Sequence, residues 1–506
     1  MSYDAIIIGS GLGGLTAGAK LSIEGKKVLV IEQHNIPGGC ATTFKRNDLK
    51  IEVGLHMIDG LDEDDPKQKI LKELGVFDHI SFIRVPEFYR FVKHGVEITI
   101  PDNYQEAINV LTERYPAEKS GILKFFKIIL ALRKQAFILP RQKWRKLLTV
   151  PIFPLMAPQV LKYENWTLGQ LLDSLFENEE LKLLLIANLG YYHNDPYTMS
   201  ILYYSVAQGS FFSGGGYFIK GGSQVLSDYL VSVIEDHNGK VLLRHKVNEI
   251  IIKDRSAIGA IYSKMGKASH EQQKVYGKHI IANAAVPNVI NELIKVPEAK
   301  ATLSNVAGQL KIAPSILSVY LGFKKTPKEL GNSYYSTIFF DEGISNPKQV
   351  EEYHHQDFAK RTFIFVDYSV IDSGLAPEGK SVGVISTLDY LSDWDSLTED
   401  KYKQRKETAA LTLINRLDKY IPGTKNAIEY YEVGTPRTIK RYILTPNGTA
   451  YGYAQTPNQA GRKRCKIKSP INNLYFASAW TEPGHGFTGA ILSGKWCAEE
   501  ILRSKE

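Results

Sequence analysis

Cysteine is scarce in this chain: Cys40, Cys465 and Cys497 are the only three among 506 residues. They form no CxxC pair and are odd in number. The sequence therefore predicts free thiols in a reducing compartment, with neither a disulfide framework nor a metal site. Long apolar runs are also missing, since no stretch approaches the ~20 residues needed to cross a bilayer. The start, Met1-Ser2-Tyr3-Asp4, runs straight into an apolar strand, so no signal or transit peptide is expected. A cytoplasmic protein is expected. There is no low-complexity tract or fixed-period repeat, and 43% hydrophobic with 23% charged residues is a globular composition. Acid is absent from one interval, between Glu118 and Glu164, which carries much of the basic excess behind the net charge of +8. On a helix, Lys124, Lys127 and Lys134 would share one face, with Leu123, Phe126, Leu130 and Phe137 on the face beside it. Adjacent basic and apolar faces suit a segment lying in a membrane interface, so 120–160 is a candidate membrane-contact region. The plainer alternative is a buried helix with a solvated basic edge, and Pro140, Pro151, Pro154 and Pro158 cut the run into short pieces. No nucleic-acid motif accompanies the cations, so no nucleic-acid partner is expected.

What is present begins at Tyr3. Residues 3–8 form a short apolar β run, and Gly9-Ser10-Gly11-Leu12-Gly13-Gly14 fits G-x-G-x-x-G. Residues 15–25 read as a small-residue helix, 27–31 as the next buried strand, and Glu32 closes it. The glycines differ in what they make possible. Gly9 permits the tight turn, Gly11 lets backbone approach a pyrophosphate, and Gly14 lets helix and strand pack closely. Phosphates then sit on free N–H groups at the positive helix end, and Glu32 is placed to accept hydrogen bonds from a ribose. The bland alternative is a tight turn in an ordinary βαβ unit. Pro37-Gly38-Gly39 adds a second glycine loop where a nicotinamide-binding unit would continue into a helix. Backbone against a longer ligand, such as FAD, explains it; a plain Pro-Gly turn is the alternative.

At 506 residues the chain is too long for one core, so two intertwined domains are expected. Glycine and β signals fade near residue 90 and return at 214–222, followed by a helix over 223–236 and strands over 240–243 and 247–253. Val247, opening the returning strand, would offer backbone groups beside an adenine; an ordinary hairpin elsewhere is the alternative. Residues 300–445 are mixed strand and helix, rich in Tyr, Ile and Phe, and offer an apolar cavity or simply core. Near the end, 473–480 reads as a buried strand, 483–490 as a glycine loop containing His485, Gly486 and Gly489, and 491–503 as a helix. A second helix N-terminus presented by glycines suits the pyrimidine edge of a flavin and would stabilise its anionic reduced form. The expected fold is α/β: a Rossmann-type FAD-binding domain from 1–90, 215–300 and 446–506, with an inserted α+β substrate domain from 91–214 and 301–445.

Together these segments resemble the flavin-dependent superfamily of phytoene desaturases, carotenoid cis–trans isomerases and retinol saturases. The resemblance is carried by the N-terminal strand–glycine–helix unit, Gly38 to Phe44, Val53-Gly54-Leu55-His56, Gly215 to Gly222, Thr435-Pro436, Gly448, Tyr451-Gly452 and Pro483 to Gly494. The run Gly38 to Phe44 followed by Gly54-Leu55-His56 is closer to the saturase and isomerase branch. The resemblance implies FAD, a hydrophobic polyene substrate (carotenoid, retinoid or related isoprenoid), and saturation, desaturation or isomerisation of its C=C bonds. One departure stands out. The family's C-terminal strand ends in an Asp that bonds the ribityl chain, whereas here Ala477-Ser478-Ala479-Trp480 leaves Ser478, with Glu482 nearby, to serve. Because a polyene offers few polar handles, His56 and His485 are the candidate proton donors, histidine titrating near neutral pH. Against this, His56 could merely fix a loop and His485 pack beside the glycines. Two rival classes are an amine-oxidase-like flavoenzyme, whose aromatic cage Trp480 and Tyr475 do not establish, and a non-catalytic binder of lipid or prenylated partners, as in GDP-dissociation inhibitors. The intact Gly9–Gly14 loop with Glu32 argues against the second.

Overall fold

In the computed structural model, residues 2–63, 65–138, 149–266 and 271–504 are described. The β-branched runs Ile6-Ile7-Ile8 and Val28-Leu29-Val30-Ile31 are buried on both faces, which suits the centre of a parallel sheet. They pair in parallel, Ala5 opposite Val28 through Ile8 opposite Ile31. The first sheet runs Lys240–Leu242, Val28–Ile31, Ser2–Ile8, Gln272–Ala282, Ser256–Lys264, His245–Lys253, and Leu474–Phe476 pairs with the end of Gln272–Ala282. The two strands expected from 240–253 are therefore not a hairpin. Lys240–Leu242 extends the parallel sheet beside Val28–Ile31, while His245–Lys253 joins an antiparallel meander. The helix Leu12–Ile23 begins three residues earlier than its small-residue pattern suggests, and Gly486–Arg503 begins within the C-terminal glycine loop rather than after it.

A second sheet takes the order Ile428–Gly434, Ser315–Phe323, Ser381–Asp389, Phe363–Asp367, Ser336–Phe339, Tyr89–Lys93, Val96–Ile100. The first sheet draws on 2–31, 240–282 and 474–476, the second on 89–100 and 315–434. Side chains alternate across the second sheet, as strand geometry requires. Leu317, Val319, Leu321, Phe365 and Ile385 pack with Ala410, Leu413 and Leu417 of the helix Glu399–Tyr420. Ile316, Ser318, Tyr320, Ile364, Ser386 and Leu388 turn the other way, toward a cavity.

Two helix pairings position the rest. Lys119–Ala136 packs on Ile201–Gly214, with Phe126 edge-on to Phe212 at 5.0 Å between ring centroids. Consequently Phe126, expected on an exposed apolar face, is buried, Leu130 is half-buried, and only Leu123 and Phe137 of that stripe are exposed. The cations Arg141, Lys143, Arg145 and Lys146 lie outside the described residues. Leu12–Ile23 packs on Gly486–Arg503, and glycine makes that possible: a Cβ on Gly494 would collide with the Gly13 carbonyl, and one on Gly13 with the Ala477 carbonyl. The two ends of the chain meet through backbone.

Candidate functional site

A cavity of about 2610 Å³ opens between the two sheets, against the ~300–1,000 Å³ of an ordinary small-molecule pocket. Gly9, Gly11, Gly13, Glu32, Gly38, Gly39, His56, Val247, Ser478, His485, Gly486 and Gly489 all line it. Of the residues singled out from sequence, only Gly14 stands behind the wall, where a Cβ would sit 2.6 Å from the Gly9 carbonyl oxygen. Residues 9 to 489 are thus brought to one space by the fold.

The glycine wall is built from loops that touch. Gly9 has φ +93°, in the left-handed region that favours glycine, and its turn abuts Asn283. Gly11 and Gly38 form a β-bridge, and Gly39 lies against the Gly11 Cα. The Glu32 carboxylate accepts hydrogen bonds from the Ser10 N–H and hydroxyl, both at 2.8 Å, and from the His34 N–H at 2.7 Å. It thereby ties the first loop to the second strand and keeps acceptor sites free, since a carboxylate has about four. Val247 is buried in the strand His245–Lys253, opposite Tyr262. Ser478 gives its N–H to the Ser493 hydroxyl at 3.1 Å and accepts the Trp480 N–H on its own hydroxyl at 3.3 Å. Its hydroxyl hydrogen is left to donate. Gly486, φ +80°, has no atom within 4 Å of where a Cβ would be, so the helix N-terminus there opens on empty space. A Cβ on Gly489, in contrast, would collide with the Gly484 carbonyl, so that glycine serves the turn.

His56 accepts or donates at Nδ1 to the Tyr191 hydroxyl, 2.8 Å away, and its carbonyl accepts from Tyr335. Burial pushes its imidazole down to about 4. His485 stacks on Tyr203 (4.8 Å, 21°) and meets Tyr451 edge-on (5.1 Å). It is held well below the usual histidine range, chiefly by burial and then by Arg464 and His193. Both rings are therefore neutral at pH 7. Burial thus moves both imidazoles away from the near-neutral titration on which their choice as candidate proton donors rests.

Several residues carry no mark in the sequence. Tyr191 and Tyr203 are two of 28 tyrosines, with nothing local to single them out. Glu52, buried, accepts from the N–H groups of Gly54, Leu55 and Ser223 and from the Ser223 hydroxyl, which shapes the turn that carries His56. Burial raises its carboxyl despite those bonds. Arg464 is 1% exposed and donates to the carbonyls of Tyr453, Ala454 and Ala479. Among the described residues no carboxylate pairs with it, so a bare cation lies directly behind Ala479. Trp480 lines the cavity and packs edge-on to Tyr453, whereas Tyr475 lies in the strand Leu474–Phe476, edge-on to His279 and away from the cavity.

A family model described as flavin containing amine oxidoreductase matches residues 12–502. The chain belongs to that family. Over 515 residues this flavin oxidoreductase family member is 26% identical to the prolycopene isomerase of Daucus carota, covering 99% of this chain and 80% of that one. It is 27% identical over 539 residues to the all-trans-retinol 13,14-reductase of Danio rerio, covering 99% and 86%. Another Danio rerio relative, 24% identical with 99% and 86% covered, is named an inactive all-trans-retinol 13,14-reductase. Among solved structures, an oxidoreductase from Methanosarcina mazei matches 98% of this chain and 99% of its own with a TM-score of 0.64 at 18% identity, a likeness of fold. A flavin suits the residues present: glycine loops that admit backbone contact, an open helix N-terminus at Gly486, an unpartnered buried Nε2 on His485, and the Arg464 charge behind Ala479.

Proposed function

We propose that this protein is an FAD-dependent oxidoreductase acting on C=C bonds of a polyene lipid, a carotenoid, retinoid or related isoprenoid, by saturation, desaturation or cis–trans isomerisation. One observation carries the reading: a single space of about 2610 Å³ has glycine loops on one wall and, on the other, a sheet face that presents Ile316, Tyr320, Ile364 and Leu388 with a few hydroxyls between them. The names of the full-length relatives support it. FAD, when bound, supplies the two-electron carrier that an unactivated hydrocarbon chain requires.

The chain's own residues hold and shield. The Gly9–Gly13 loop and the N-terminus of Leu12–Ile23 bind the pyrophosphate, Glu32 the ribose, Val247 the adenine edge, and Gly38 and Gly39 the chain beyond. Ser478 and the helix N-terminus at Gly486 receive the pyrimidine edge, with Arg464 adding positive potential from behind. His56, oriented by Tyr191, acts as a neutral imidazole that accepts or relays a proton, and His485 is fixed between Tyr203 and Tyr451. Closure by the apolar wall excludes water from the reacting chain. Anaerobic incubation of oxidised and pre-reduced enzyme with a polyene panel, read by product mass and by chromatographic separation of isomers, tests this. A new isomer of unchanged mass means isomerisation, a gain of two hydrogens saturation, and a loss of two desaturation. No change in any polyene under either condition would sink the reading.

Two other readings have an observation each. Tyr203 and Tyr451, bracketing His485, offer rings for an amine; flavin reduction by amines but not by polyenes would favour that. A relative named inactive favours a non-catalytic binder, for which gently purified protein should be colourless.

Peripheral membrane contact belongs to the same proposal. Leu123, Phe137, Val150, Ile152, Leu155 (84% exposed), Met156 and Leu161 are exposed large hydrophobics in one stretch of chain, while Phe137, Phe153 and Val160 also line the cavity. A mouth built this way lets a stored lipid pass without crossing water. Among the described residues no helix is long and apolar enough to span a bilayer.

A further inference from the structure

The second sheet sends one connection across to the nucleotide wall. After the strand Ile428–Gly434, the helix Pro436–Ile443 runs to Leu444, and the chain turns back at Gly448. The loop is pinched at its neck. A Cβ on Gly448 would collide with the Pro436 carbonyl, the Thr435 hydroxyl accepts the Thr438 N–H at 3.3 Å, and the Thr449 hydroxyl donates to the Pro314 carbonyl at 3.0 Å. Beyond the neck its two sides differ, as an amphipathic helix allows. Arg437 and Lys440 pair with Glu399 at 2.7 Å and Asp395 at 3.5 Å. Ile439, Tyr442, Ile443 and Leu444 line the cavity, yet none is fully buried and Tyr442 is 50% exposed. Two contacts join this tip to the nucleotide wall. Tyr442 meets His34 edge-on at 5.5 Å between ring centroids, and the Asn288 amide donates to the Leu444 carbonyl. Leu444 itself is held at φ +54°, in the left-handed region that a leucine rarely adopts.

We propose that residues 437–447 are a clasp that closes over the adenosine end of bound FAD and sets the rate at which the cofactor leaves. The inference rests on the flavin reading above and adds to the cofactor site a segment that belongs to the second sheet. Position decides which end of the cofactor is covered. Glu32, the ribose acceptor, takes the His34 N–H at 2.7 Å, and Tyr442 stands against the His34 ring. The His245 N–H bonds the Glu32 carbonyl at 2.8 Å, which brings the strand bearing Val247 to the same place. Chemistry agrees with position. A purine has flat, weakly polar faces, and the half-buried aliphatic and aromatic side chains of the clasp offer cover without charge. A pyrophosphate would call for cations instead, but Arg437 and Lys440 are paired elsewhere, and Arg441 is exposed beside the Tyr442 ring. Because the neck is fixed while the tip rests on one ring contact and one hydrogen bond, the tip can lift without disturbing either sheet.

The experiment follows FAD release from the full-length holoprotein on dilution, read by the rise of flavin fluorescence. Tyr442→Ala should speed release about tenfold and Asn288→Ala about fivefold, the worth of one ring contact and one hydrogen bond. The double variant should stay near tenfold, far short of the roughly fiftyfold that independent contacts would give, because both contacts hold the same opening. Tyr442 is half exposed and lies beyond the neck, so its removal should leave the melting temperature of the flavin-free chain unchanged. ADP, which carries the adenosine end alone, should compete with FAD at equilibrium about tenfold less well in Tyr442→Ala than in wild type. Unchanged release in both single variants, or a double variant that multiplies the two effects, overturns the clasp while leaving the flavin reading in place. ADP affinity that is undetectable in wild type, or the same in Tyr442→Ala, overturns the adenosine assignment. Wild-type protein that takes up no FAD sinks the flavin reading, and this inference with it.

Discussion

The two walls of the cavity do different work with different materials. The glycine wall is backbone: Gly9, Gly11, Gly13, Gly38 and Gly39 come so close to carbonyls and to one another that most have no space for a side chain. The sheet wall is side chain: Ile316, Tyr320, Ile364 and Leu388 present one face of strands whose other face is core. A phosphate-bearing ligand needs N–H groups at a set spacing, which only bare backbone supplies, whereas a lipid needs volume and low polarity, which many side-chain sets supply. The first wall should therefore tolerate almost no substitution and the second a good deal.

The largest test of that contrast is acid. His193 and His354 are held down to about 4 and about 3 by burial, against an ordinary value near 6.5. Below pH 6.5 the unfolded chain takes up protons that the native imidazoles refuse. Stability is then intact above pH 6.5 and falls as the pH drops toward 4, by roughly 3 kcal/mol for each histidine. Melting followed from pH 7 to 4 should show this, and His354→Leu should remove part of the slope. A flat profile in wild type would contradict the burial of these rings.

Gly13→Val comes next. Its side chain would enter the Ala477 carbonyl and separate the two ends of the chain, costing about 3 kcal/mol along with bound flavin. Retention of yellow colour and of the melting temperature would refute the backbone contact. Within the sheet, Leu317→Ala, on the helix-packed face, should cost about 3 kcal/mol. Leu388→Ala, which merely enlarges an existing space, should cost about 1 kcal/mol and shift polyene affinity instead. Equal losses by chemical denaturation would erase the difference between the faces. The smallest effect is expected outside the cavity. Leu155→Asp should leave stability within about 0.5 kcal/mol but lower co-sedimentation with anionic liposomes, and unaltered sedimentation would count against membrane contact there.

The glycine wall was legible in sequence for the same reason that it is intolerant. A G-x-G-x-x-G loop between a strand and a helix, an acid after the next strand and a second glycine pair are local patterns with few other uses. The sheet wall was not legible. Residues 315–434 alternate side chains between core and cavity, and a period of two says that two faces exist without saying which is empty. Phe126 shows the same limit. Its helical stripe reads equally as membrane face or core, and Phe212, far along the chain, decides for core. The histidines show it for chemistry, since His56 and His485 could be found by type and motif while their protonation depended on Tyr191, Tyr203, Tyr451 and Arg464.

By itself, then, the order of residues determined a nucleotide-binding βα unit, a matching C-terminal glycine loop and helix, and the family to which they point, because those features are written in contacts between near neighbours. Only the tertiary structure decided that Gly13 and Ala477 touch, and that one face of the second sheet borders a space while the other is core. Each of these depends on segments far apart in the chain, and burial, which sets both packing and charge, is a property of the assembled molecule.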